Sequence, residues 1–185
     1  MTTSPLLRAG ALAAPVLLFG YGSLRLIDGL DGHRDKGGLL WNAGHVMFFA
    51  AMLLLGAVVV GVRRLLRCDD FGNRLAANLA TVAALAGTAA FLWVIAGDLS
   101  SSFAVAAPLP DPVQVAGPAL FQLGMLVLLV QLARARRLPA WSPVAVLFAF
   151  LMIAVNLDLI PLAAILLFAG LLPLAGGRLP RPRAV

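Results

Sequence analysis

The 185-residue chain holds no glutamate, one cysteine and two histidines, and only 12% of it is charged. Without glutamate the His-Glu-x-x-His metalloprotease motif is eliminated. Cys68 alone forms neither an intrachain disulfide nor a cysteine-based metal cage. Of the histidines, only His45 lies in an apolar stretch, so a haem bridged by two membrane histidines is not expected within one chain. There is no Gly-x-Ser-x-Gly elbow, no Ser/His/Asp arrangement and no phosphate-cradling glycine loop. No cofactor is expected. What the chain does have is grease: 62% of its residues are apolar and the mean hydropathy is +0.98. A soluble domain is roughly 45–50% apolar and about 25% charged. So much apolar surface cannot be hidden in a fold of this size, and lipid must be its solvent. That excludes a cytosolic enzyme, a secreted domain, a disordered chain and a nucleic-acid binder.

A membrane-crossing helix needs about 20 apolar residues at 1.5 Å rise each. The sequence supplies candidates at about 9–27, 39–62, 75–97 and 116–133. They are separated by a charged, glycine-rich segment (28–38), a basic segment (63–74) and a Ser/Pro loop (98–112). The remaining apolar block, 143–175, is too long for one helix and slightly short for two. Asn156, Asp158 and Pro161 near its middle predict a tight hairpin of short helices at 141–155 and 159–175, since proline suits a first helical turn. A re-entrant loop is the alternative, and both put the two ends on one side. The expected fold is an all-α, six-helix transmembrane bundle, a single domain over 1–177 with a basic cytoplasmic tail at 178–185. The small residues Ala11 and Ala13 precede the first apolar run rather than follow it, so 9–27 reads as an anchor and not a cleaved signal.

Charge orients this bundle, because Arg and Lys accumulate on the cytoplasmic side of short loops. One face gathers Arg8, Arg63, Arg64, Arg67, Arg74, Arg134, Arg136, Arg137, Arg178, Arg181 and Arg183 against Asp69 and Asp70. The other holds Arg25, Arg34 and Lys36 against Asp28, Asp31, Asp35, Asp98, Asp111 and Asp158. Eleven cations less two aspartates leave +9, and three cations against six aspartates leave −3, recovering the net +6. Both termini are therefore expected inside, in the plasma (inner) membrane of a high-GC bacterium. The arginines at helix ends, Arg63, Arg64, Arg67, Arg134, Arg136 and Arg137, are expected to meet anionic lipid headgroups. They form no continuous stripe of the kind nucleic acid requires. Trp41, Trp93 and Trp141 near span ends fit an interfacial belt. Small residues four apart in the third span (Ala76, Ala80, Ala84; Ala83, Gly87) predict a central helix in close contact with several neighbours.

Polar groups inside a membrane usually face protein or water and are the first site candidates. His45 lies about two turns into the second span, with Asn42 on the same face. Asp98 ends the third span on that outer side, and Asn156 and Asp158 cap the last hairpin there. These five residues predict an outward-facing acidic vestibule that accepts a proton or a cation, the imidazole changing charge near neutrality. The plainer alternative has His45 bonded to a backbone carbonyl and the aspartates solvated or capping helices. His33, Asp31 and Asp35 have zinc-ligand chemistry but sit in a glycine-flanked turn. Asp28-x-x-Asp31-Gly32-x-Arg34 opens like the carboxylate signature of CDP-alcohol phosphotransferases, yet after Asp35 no acid follows until Asp69, so it is set aside. Cys68 is placed for acylation but is read as incidental. Three function classes remain. The first is an accessory, scaffold or binding component working with a membrane-protein partner or as a homo-oligomer. The second is a small transporter using the vestibule around His45, and the third a membrane-embedded enzyme acting on lipid.

Overall fold

A computed structural model describes residues 3–30, 32–66 and 70–176, which are all-helical and contain no strand. Among the described residues there are seven α-helices: α1 (Pro5–Asp28), α2 (Leu39–Leu65), α3 (Phe71–Leu99), α4 (Ser101–Ala106), α5 (Asp111–Arg134), α6 (Trp141–Val155) and α7 (Ile160–Ala175). A 3-10 turn at Leu157–Leu159 leads into the last. Asp31, Arg67, Cys68 and the basic tail at 178–185 lie outside the described residues. Local signals set the starts. Ser4 caps α1, its hydroxyl accepting from the Leu7 amide at 3.2 Å, with Pro5 in the first turn. Asp70 caps α3 through the Asn73 amide at 3.0 Å.

Among the described residues, five segments are long and apolar enough to cross a membrane: α1, α2, α3, α5 and Leu157–Ala175. The helix α6, at 15 residues, is shorter, about 22 Å at 1.5 Å per residue. The expected Ser/Pro loop at 98–112 is only partly a loop. Ser100 accepts from the Phe103 amide at 3.3 Å and caps α4, and α5 already begins at Asp111. A serine run before Phe-Ala-Val-Ala is a start signal as much as a breaker, and prolines 108 and 110 end what it starts.

Helix α1 packs on α2 and α7, α3 on α2 and α5, and α6 on α5 and α7, so six helices form a closed ring with α4 beside it. The small-residue stripe of α3 is used, but α3 is not central. Ala80, Ala84 and Gly87 are buried against α5, whereas Leu79 and Val82 face outward. Bulky apolar side chains cover the outside all round, among them Leu53, Leu123, Phe148, Leu162 and Ile165. A water-facing surface does not tolerate apolar patches on that scale. Inside, ring contacts run from Tyr21 to Phe48, Phe91, Phe121 and Phe150, joining α1, α2, α3, α5 and α6 with centroids 4.5–5.9 Å apart.

Hydrogen bonds define two ends. At one, Thr3 donates to the Gly176 carbonyl (2.9 Å), Arg63 forks onto Asn78 Oδ1 (3.0 and 2.7 Å), and Arg137 donates to the Leu65 carbonyl. At the other, Arg34 reaches Asp158 (2.9 Å) and Trp41 reaches the Asp98 carbonyl (3.0 Å). Residues 134–137 and 100–102 therefore lie at opposite ends of the bundle, and α6 runs from the first end to the second.

Candidate functional site

The site is built where α2 begins and α3 ends. Gly38 starts α2 without a side-chain cap, and Asn42 donates back to the Gly37 carbonyl at 2.8 Å. One turn further in, His45 is 4% exposed, held between the edge of Tyr21 (5.3 Å) and the ring of Trp41 (4.2 Å). Its Nδ1 lies 2.8 Å from the Trp41 carbonyl oxygen. A carbonyl only accepts, so Nδ1 carries the hydrogen. Nε2 faces Asp98 Oδ2 at 3.5 Å. In a neutral ring with that tautomer Nε2 presents a lone pair to the carboxylate, and the contact is attractive only when one further proton sits on the pair. Asp98 itself lies in the last turn of α3, where a negative charge opposes the helix dipole, and the indole N–H of Trp41 fixes its backbone carbonyl.

The five-residue vestibule divides. His45, Asn42 and Asp98 come together, whereas Asn156 and Asp158 belong to a second group. Asn156 Oδ1 accepts from the Asp158 amide at 2.9 Å and shapes the α6–α7 turn. Asp158 is held by Arg34 at 2.9 Å and by Arg25 Nε at 3.7 Å, the Arg25 side chain being 13% exposed. That acid bolts the α6–α7 turn to α1 and the 28–38 segment, so its charge is answered inside the protein. His33 and Asp35 line a second cavity of about 520 Å³ with Asp28 and Arg34. Asp31 is outside the described residues, and among those described no three His, Cys, Asp or Glu stand close enough to share a metal.

At the other end the basic residues also divide. Arg64, Arg134 and Arg136 are exposed, whereas Arg63 is engaged by Asn78 and Arg137 is 8% exposed against the Leu65 carbonyl.

Beside His45 and Asp98 opens a cavity of about 620 Å³, walled by α2, α3, α4 and the 107–109 segment. Its polar and aromatic lining is Lys36, Trp41, Asn42, Trp93, Asp98, Ser101, Phe103 and Gln114. Both indole N–H groups are already committed to backbone carbonyls, Trp41 to Asp98 and Trp93 to Ala107 at 2.9 Å. The rings are thereby fixed as walls. Phe103 stands 5.4 Å from Trp93 at 55°, and the Lys36 ammonium sits 5.8 Å from the centre of Trp41. No sequence pattern marks Lys36, Trp93 and Phe103 as site residues. Trp93 was readable only as a belt residue, although it lies within two turns of Asp98. A search against protein-family models, curated proteins and solved structures finds no match to this chain.

Proposed function

We propose that the chain is a six-span membrane protein that binds a ligand at its aspartate-bearing end, with both termini cytoplasmic and the cavity facing outward. The carrying observation is the cavity of about 620 Å³, in the size range of small-molecule sites and lined by fixed aromatic rings around one carboxylate. The six-span count is supported by α6, whose ends meet opposite ends of the bundle; a helix of about 22 Å spans by local thinning and snorkelling of its flanks. The orientation is supported by the arginine-rich end, whose exposed Arg64, Arg134 and Arg136 suit anionic headgroups. Binding is favoured over passage because the polar groups lie at the ends, while Tyr21, Phe48, Phe91, Phe121 and Phe150 are packed ring against ring between them.

Cysteine accessibility tests this in a Cys68→Ser background. Ser101→Cys on the cavity wall is expected to react with a membrane-impermeant thiosulfonate in intact cells, and Ala135→Cys only after permeabilisation. Met52→Cys and Met125→Cys, buried in mid-bundle, are expected to stay unreactive from either side. Labelling of the mid-bundle positions would reveal a water path and replace binding with transport. Labelling of Ala135→Cys in intact cells would invert the orientation.

A further inference from the structure

The cavity wall carries two opposite charges that do not pair with each other. The Asp98 carboxylate is 36% exposed and contacts His45, while the Lys36 ammonium is placed over the Trp41 ring. A simple cation would meet Lys36 as a repulsive neighbour, and a simple anion would meet Asp98. A molecule bearing both charges satisfies both. Fixed indole rings next to a carboxylate suit an ammonium group, which is drawn both to the ring faces and to the acid. Lys36 over Trp41 is this chain's own example of an ammonium accepted there.

An apolar notch borders the cavity. Val94 and Gln114 line both, and the notch, of about 110 Å³, is completed by Ala90, Phe91 and Pro118. Pro118 has no N–H, so the Gln114 carbonyl loses its helical donor at the junction between polar cavity and apolar notch. A polar pocket walled by Trp41 and Trp93 thus adjoins, across Val94 and Gln114, an apolar slot between α3 and α5.

We infer that the cavity binds an ammonium zwitterion, with its ammonium at Asp98 and the Trp93–Phe103 corner and its anionic group at Lys36. The notch holds the start of an acyl chain when that zwitterion is a phospholipid headgroup. This rests on the reading of the end cavity as a ligand site. Its test is titration of the purified full chain in detergent, followed by tryptophan fluorescence. Three probes are compared: dihexanoyl phosphatidylethanolamine, free phosphoethanolamine and dihexanoyl phosphatidylglycerol.

A saturable change with the first, weakened about tenfold by Asp98→Asn and by Lys36→Gln, is expected, each substitution removing one charge-assisted contact. Tighter binding of the lipid than of the free headgroup assigns the source to the bilayer. Equal binding assigns it to a dissolved zwitterion, and either result supports the zwitterion site. Equal binding of the anionic lipid, or titrations unchanged in both variants, overturns it. Lys36 is exposed and outside the helical core, so Lys36→Gln remains informative if Asp98→Asn fails to fold. Absent zwitterion binding with the cysteine pattern intact overturns this inference alone. Mid-bundle labelling overturns the reading beneath it.

Discussion

At the residue scale, embedded polarity was readable and its partners were not. His45 and Asp98 stand out in apolar stretches because each is costly there without a partner. That they are each other's partners depends on the α2–α3 packing, which no local pattern encodes. The end of α5 is hidden more deeply. Arg136 has φ +55°, and the Arg136 and Arg137 amides donate to the Ala133 (2.8 Å) and Leu132 (3.0 Å) carbonyls. These are the paired bonds of a Schellman cap, usually built on glycine because a Cβ is crowded in the left-handed region. In sequence the Arg-Ala-Arg-Arg run carries only its charge. Arg136→Gly is therefore expected to stabilise the protein by about 1 kcal/mol, read as a higher thermal midpoint in detergent. Arg134→Gly, inside the helix, is expected to lower it by a similar amount. An unchanged or lower midpoint for Arg136→Gly would show that its side chain contributes more than its backbone strain takes away.

At the element scale, the long apolar runs gave the helices their identity and nearly their ends, with α6 matching its expected bounds. The serine-capped α4 was not legible, because six residues carry no periodicity against a background of serine and proline. The stripe on α3 was legible as a close-packing surface, but its partner was not. That partner is α5, where Gly117 and Gly124 lie seven apart, outside the four-residue spacing that draws the eye. A Cβ on Gly124 would stand 2.7 Å from the Ala84 amide nitrogen and closer still to the Ala80 carbonyl. Backbone cannot step aside as a side chain does, so Gly124→Ala must push the two helices apart. The expected loss is about 1–3 kcal/mol, in the range of overpacked cores. Leu79→Ala, on the outward face of α3, is expected to leave the midpoint within about 0.5 kcal/mol of the parent. Thermal unfolding of the two variants side by side checks the contrast. Equal losses would mean that the α3–α5 contact is not the tight one.

At the scale of the whole molecule, charge sorted the segments into two groups, and the hydrogen bonds between distant segments join the same groups. The cavity is not legible in the sequence because residues 36–42, 93–98 and 101–114 each contribute a share that looks like ordinary interface chemistry. Ring closure depends on α7 returning to α1, and Asp158 fastens that seam at one end. Removing its carboxylate takes from the largely buried Arg25 the acid that faces its Nε, an atom with no hydrogen-bond partner even now. Breaking one side of a buried pair is more harmful than removing both, because the orphaned charge keeps its desolvation penalty. Asp158 and Arg34 are partly exposed, so solvent screens much of this and the effect is smaller than for a fully buried pair. Asp158→Ala is expected to destabilise the fold by about 1–2 kcal/mol, with the 28–38 segment becoming cleavable by trypsin at Arg34. Adding Arg25→Met is expected to recover part of the thermal midpoint while leaving the cleavage, because Arg34 is still untied. A double variant less stable than Asp158→Ala alone would place the strength of the seam in Arg25's other contacts, and not in its attraction to Asp158.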